Sequence, residues 1–344
     1  MTEQERTNVV LACRARLTGD AEKDIDMLQQ EVLRYEKTEP ALAQELVEIA
    51  HSLLSPEQAD YLKSHIYLDG KRLDQVYAEA DALTQAGKYA ESEQLTRKLY
   101  EHILVQFKET AEARFFSFRN RLESELYHQL FHPTKQLLKA PFDFARFIGL
   151  HAYNLVELRR TAEALPVLER AVRYDPVNPD PRFEIAEVCK LLRAHDQLLE
   201  AIRQTLPLCT TPYAFARCYA NMGFYCVEVE DYPSAVCFYY ESLRYEDHPA
   251  IPGELRHVAA LMGHKIVPPT RDMILDAFAK YDILNGPGRE LLYVATTLGE
   301  QAMHDERWAE GAYYYDLIAA LTHDAKATEL FKVCASHLEK KSDQ

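Results

Sequence analysis

The side chains best suited to chemistry are histidines and cysteines, and their spacing decides what they can do. His128 and His132 lie four apart with Glu125 one turn earlier, so on a helix all three share a face, as a zinc site needs. The run is not H-E-x-x-H, and Pro133 ends the helix directly after His132. His257 and His264, with Glu254 nearby, are seven apart; among 13 histidines such coincidences are expected, and no metal ligand is assigned. Seven cysteines, an odd number without a C-x-x-C pair, argue against a disulfide framework and against a thiolate zinc knuckle. Cys189, Cys218, Cys226 and Cys237 fall on apolar helical faces and read as core thiols in a reducing cytoplasm. Asn285-Gly286-Pro287-Gly288 carries a proline and follows no strand, so it reads as an inter-helix loop and not a phosphate cradle. The sequence has no Gly-x4-Gly-Lys-Ser/Thr, no G-x-S-x-G elbow and no kinase signature. A non-catalytic protein without a cofactor is the expectation.

What the elements hold is clearer than any reaction. Residues 216–249 place two helical stretches around an Asp-Tyr-Pro hinge. Tyr219, Met222, Gly223 and Cys226 share one face of the first, and Ala235, Tyr239 and Ser242 one face of the second. A glycine inside a helix costs about 1 kcal/mol against alanine, so Gly223 calls for a close packing partner. This large-and-small pattern over 34 residues resembles the tetratricopeptide repeat. Further copies follow in phase. Residues 145–178 carry Ile148, Ala152, Leu155, Ala164, Leu168 and Ala171, and 179–212 carry Ile185, Ala186, Cys189, Leu198 and Ile202 without the late small residues. Residues 292–325 carry Ala295, Leu298, Gly299, Ala302, Trp308, Gly311 and Tyr315. Residues 73–106 are a moderate copy, and 250–291 a degenerate one with Gly263 in the small slot. The expected fold is all-α: a right-handed α-solenoid of tetratricopeptide-like hairpins, with an N-terminal helical bundle and a C-terminal capping helix.

Composition agrees. Eleven glycines and 21 tyrosines suit aromatic-wedged helices better than strands and turns. A net charge of −15 argues against a general nucleic-acid binder, which needs a cationic stripe. The amino terminus lacks the features of a secretion signal, and no stretch has the 18 or so apolar residues of a membrane span.

In chain order, 1–72 is a helical bundle outside the repeat, either an end cap or an output module. Asp20 caps a helix to Tyr35, Pro40 opens the next, and Ser55-Pro56-Glu57 starts a third through Ile66. Residues 73–144 hold the divergent pair and a linker read as one long helix from Lys108 to Phe131, with Phe115, Phe118, Leu122, Leu126 and Leu130 along it; Pro141 starts the next helix. The array occupies 145–325. Residues 326–344 form the capping helix, with Ala327, Leu330, Phe331, Cys334 and Leu338 inward and Lys326, Lys332, Glu339 and Lys340 outward.

The resemblance implies a concave surface lined by the first helices of successive pairs, suited to a peptide or a partner helix. In this phase the inward residues include Arg146, Tyr153, Phe183, Glu187, Lys190, Arg217, Phe224, Tyr293, Thr296 and Glu300, with Asn221 beside them. Arg146, Lys190 and Arg217 form either a cationic strip for a carboxylate or acidic peptide, or pairs with Glu187 and neighbouring acids. Tyr153, Phe183 and Phe224 would be apolar anchors. Repeat proteins that grip chaperone tails carry an asparagine directly after the small residue of a first helix. Here Tyr153 and Phe224 stand there, so that clamp is absent. The expected function is a scaffold that binds a protein or peptide in its groove. The alternative is a peptide-responsive regulator whose N-terminal bundle is the output module.

Overall fold

The computed structural model describes residues 1–35, 38–247 and 249–342. The last two residues of the expected capping helix, and the side chains of Glu339 and Lys340, lie outside the described residues. The described residues form eighteen α-helices and two short strand pairs, an all-α helical-repeat fold as the sequence predicts. Two compact units divide the chain, Met1–Leu73 and Asp74–Gln344.

The first unit holds α1 (Glu3–Ala15), α2 (Ala21–Tyr35), α3 (Pro40–Ser52) and α4 (Pro56–Ile66), then the antiparallel pair β1 (Tyr67–Leu68) and β2 (Lys71–Arg72). Thr2 with Glu5 and Ser55 with Gln58 form capping boxes that fix the starts of α1 and α4. Cys13, Leu28, Leu42, Leu46 and Ile49 make its core. The Asp24 carboxylate accepts from the Thr18 amide, the Thr18 hydroxyl and the Gly19 amide at 2.7, 2.9 and 2.9 Å, which holds its pKa low and the loop before α2 in place.

The second unit opens one residue into α5 (Leu73–Gln85), which forms a hairpin with α6 (Tyr89–Gln106). The linker that follows corrects the sequence reading. In place of one helix from Lys108, it forms β3 (Ala113–Phe116), α7 (Arg121–Phe131) and β4 (Gln136–Lys139), and the two strands pair in parallel. Phe116 and Phe118 stack at 4.9 Å, a spacing of two that belongs to a strand, whereas helical spacing begins only at Leu122. The Asn120 side chain accepts from the Glu123 amide and starts α7 there. His132, at φ 45°, ends it. The next helix begins at Phe144, capped by Asp143, and not at Pro141.

Hairpins then follow: α8 (Phe144–Glu157) with α9 (Thr161–Tyr174), α10 (Pro179–Leu192) with α11 (His195–Thr205), and, after a 3-10 turn at Leu206–Leu208, α12 (Pro212–Glu228) with α13 (Tyr232–Tyr245). Each of these hairpins packs on the one before. Asn154 of α8 is fully buried and ties α8 to the first hairpin, accepting from Thr84 at 2.9 Å and donating to Ser92 at 2.8 Å. Then come α14 (Ile251–Met262) and α15 (Arg271–Lys280), both against α13. Gly263 does not fill a small slot between helices: it is the left-handed cap of α14, at φ 72°, with open space around it. The Asn285–Gly288 loop is fastened by Tyr219, whose hydroxyl donates to the Leu284 carbonyl at 3.0 Å and accepts from the Gly286 amide at 2.9 Å.

The last hairpin, α16 (Arg289–His304) with α17 (Trp308–Thr322), is covered by α18 (Ala325–Ser342). Small-against-large packing recurs here at the same separation of sixteen. A Cβ on Gly223 would sit 2.5 Å from the Tyr239 ring, and one on Gly299 would sit 3.0 Å from the Tyr315 ring. Outside its own hairpin, α16 has α7 and the turn at Leu206–Leu208 as its principal neighbours, rather than α14 or α15. Arg121 of α7 donates to the Gln301 side chain at 2.8 Å, and Leu122, Leu126, Leu291 and Leu298 are buried in one core. The hairpin forms where the sequence places it, but folds back on the linker instead of extending the stack.

Candidate functional site

Successive first helices α8 and α10 leave a groove of about 530 Å³ between them. Asp143 caps α8 by accepting from the Arg146 amide at 2.9 Å, and Asn178 caps α10 by accepting from the Asp180 amide at 2.9 Å. The two helices therefore start with fixed faces toward the groove. Arg146, Tyr153 and Glu187 line it as their helical phase predicts, and Gly149, Glu184 and Leu191 line it as well. Gly149 has nothing within 4 Å of where a Cβ would stand, so its missing side chain widens the floor. Tyr153 is 45% exposed and Leu191 61%, an apolar pair open to solvent within one groove.

The cations differ in state. The Arg146 guanidinium lies 5.2 Å above the Tyr77 ring of α5, which itself stacks on Phe147, and forms no ion pair among the described residues. Lys190 and Arg217 are engaged. The Lys190 ammonium donates to Glu187 at 3.0 Å and to the Asn221 side chain at 2.6 Å, 5.2 Å from the Phe224 ring centre. Arg217 reaches Glu184 at 3.3 Å and Glu187 at 3.8 Å, with its guanidinium 4.4 Å over Phe183. The strip across α10 and α12 is thus an ion-paired ladder laid over two aromatic rings. Its charge is balanced internally, and of the three cations only Arg146 is left for a ligand's anion. Phe183 is buried and Phe224 half-buried beneath the ladder, so Tyr153 is the exposed aromatic anchor.

Tyr293, Thr296 and Glu300 are exposed on α16 and are not brought to this groove. Tyr293 lines a separate cleft with Arg121, Glu125 and His128 against α7. His132 is the left-handed end of α7, and no three His, Cys, Asp or Glu side chains among the described residues converge as a metal ion requires. All seven cysteines are free and buried, and burial pushes the Cys237 thiol up to about 11 and Cys226 to about 12. Sequence reasoning missed Gly149, Glu184 and Leu191. A glycine inside α8 was the available signal, the same one that drew attention to Gly223.

Neither a protein-family model nor a curated protein matches the sequence. Among solved structures the chain is similar to the APC/C hetero-tetramer Cut9-Hcn1, at 14% identity and a TM-score of 0.24. That match covers 90% of this chain and 66% of the other, so the chain spans just under two thirds of the length of its neighbour. A likeness so distant leaves the fold to be read from the helices themselves. No described helix is long and apolar enough to cross a membrane.

Proposed function

We propose that the protein is a non-catalytic, cytoplasmic scaffold of the tetratricopeptide type that holds a peptide or a partner's helix in the groove between α8 and α10. The observation that carries this reading is the groove itself: about 530 Å³, floored by Gly149 and flanked by exposed Tyr153 and Leu191, with Arg146 at one wall lacking a carboxylate partner. A segment with an apolar side chain near an acidic one is complementary to it. The apolar group displaces water from Tyr153 and Leu191, and the carboxylate accepts from the Arg146 fork. Lys190, Arg217, Glu184 and Glu187 keep the neighbouring face stiff and set the register of an incoming chain by charge. The buried, high-pKa thiols accord with the cytoplasm.

Selection from a displayed random-peptide library, followed by titration of the best peptide, tests the proposal. Gly149→Leu fills the floor from a position with free space, and Arg146→Glu reverses the wall charge. Each is expected to weaken the peptide at least about tenfold. Gly149→Leu should leave the melting temperature in place, and Arg146→Glu should lower it only by the loss of the Tyr77 contact. Peptides that bind both variants as tightly as the parent would place recognition elsewhere. The alternative, a peptide-responsive regulator with residues 1–72 as output module, draws on the separate core of Cys13, Leu28, Leu42 and Leu46. It requires the scattering profile to change when the selected peptide is added, whereas a scaffold keeps its profile.

A further inference from the structure

A second cleft, of about 340 Å³, shares no lining residue with the groove. It lies where the end of α6, the segment before β3, the start of β4 and α9 meet. Five cations line it (Lys108, Arg114, Lys135, Arg170 and Arg173) against one carboxylate, Glu109. In a chain with a net charge of −15, this local excess of four positive charges is opposite in sign to the whole. Like charges gathered in one cleft repel one another and destabilise the fold unless something offsets them.

Part of the cluster is internally fixed. Lys135 donates to Glu109 at 2.6 Å and to the Thr110 carbonyl at 2.8 Å. Arg114 donates to the Arg173 carbonyl at 2.6 Å, with its Nε 3.8 Å from Glu109. The Lys135 hydrogen bond, and then the charges of Arg114, Lys135 and Arg173, hold the Glu109 carboxyl below the usual range, so it stays ionised and keeps those two cations in place. The other three cations, Lys108, Arg170 and Arg173, form no side-chain ion pair among the described residues. Phe107, Phe115 and Tyr174 supply an apolar wall, and the Tyr174 hydroxyl is already used in a hydrogen bond to the Phe107 carbonyl. The wall therefore offers rings and the opposite side offers N–H donors.

We infer that this cleft binds a phosphate monoester dianion. A carboxylate would answer one cation with two oxygens. A phosphate brings about two charges and three acceptor oxygens, which the two arginine forks and Lys108 can share, and its organic substituent meets the aromatic wall. The volume admits one small organic phosphate or one phosphorylated side chain, and these two sources share the same recognition chemistry.

The test uses the full chain, with phenyl phosphate, a short phosphoserine peptide and the same peptide unphosphorylated as probes, followed by calorimetric titration and by the shift in melting temperature. Both phosphorylated probes are expected to bind, and the unphosphorylated peptide is not. Arg170→Gln with Arg173→Gln should weaken binding at least about tenfold, the loss of one charge-assisted hydrogen bond. The melting temperature without ligand should not fall, because both side chains are exposed. Lys108→Gln alone should give a smaller loss, and the groove variant Gly149→Leu none. Tighter binding of the phosphopeptide identifies a phosphorylated protein as the source, tighter binding of phenyl phosphate a free metabolite, and either supports the site. Equal affinity of the double arginine variant and the parent overturns it, as does failure of both phosphorylated probes to bind the parent.

Discussion

Replacing single helical glycines by alanine separates close helix packing from helix propensity within one protein. A Cβ at position 223 would stand 2.5, 2.6 and 2.8 Å from three atoms of the Tyr239 ring. Ordinary carbon contacts lie at about 3.5–4.0 Å, so the ring must retreat by about 1 Å. It has little room, since Tyr239 is 1% exposed and its hydroxyl donates to Glu254 at 3.3 Å. Overpacking of this kind costs about 1–3 kcal/mol, and the gain in helix propensity returns about 1 kcal/mol. Gly223→Ala is therefore expected to destabilise by up to roughly 2 kcal/mol. At Gly149, with open space around it, only the propensity gain operates, and alanine should stabilise by about 0.5–1 kcal/mol. Gly299→Ala, whose Cβ meets Tyr315 at 3.0 Å, falls between the two. Urea unfolding at constant m-value reads all three. If Gly223→Ala proves as stable as Gly149→Ala, helix α13 does not approach α12 as described, and the reasoning fails.

Three further perturbations follow from buried groups and from the closing helix. His151 is buried with Nδ1 3.1 Å from the Thr96 hydroxyl, and burial holds its pKa down at about 4. The unfolded chain takes up the proton first, so stability present above about pH 6.5 is lost as pH falls, by roughly 2 kcal/mol at about pH 5. His151→Gln should flatten that part of the acid limb in urea midpoints, and an unchanged slope would count against it. Asp175 is fully buried, and burial, reinforced by the Glu123 charge, holds its carboxyl well above the usual range. Its contribution is present at low pH and lost as pH rises from about 4 toward 8, so Asp175→Asn should gain on the parent progressively over that range; a pH-independent difference contradicts the assignment. Deleting residues 324–344 uncovers the α17 surface on which Cys334 packs and removes the His337 ring stacked 3.9 Å on Trp308. The shortened chain is expected to aggregate in sedimentation, and a monomer of equal heat stability would show that α18 is not a cap.

The repeating hairpins were legible because their signal is local. Gly223 with Tyr239, and Gly299 with Tyr315, lie sixteen residues apart, and a glycine inside a helix demands an explanation wherever it stands. The cap at Ser55 works over three residues and is equally local. The β3–α7–β4 linker was misread because the apolar residues Phe115, Phe118 and Leu122 satisfy helical spacing by chance, while Phe116 and Phe118 satisfy strand spacing. The return of α16 to α7 rests on contacts such as Arg121 with Gln301, 180 positions apart, which leave no period along the chain. Within the groove, helical phase located Arg146, Tyr153 and Glu187. It left open whether Lys190 and Arg217 face a ligand or pair with Glu187 and neighbouring acids; the structure shows the pairs, with Glu184, off the inward positions, as the second partner of Arg217. The five cations of the second cleft are scattered from Lys108 to Arg173 and meet only through the linker's fold.

An open stack of hairpins can shed its outermost member while the remainder stays standing, because each layer leans only on the next. In this chain the final hairpin is braced against a segment that precedes α8. Melting from the carboxyl end must tear that brace from the middle of the molecule, and so the final hairpin is not a free end from which the second unit can unravel.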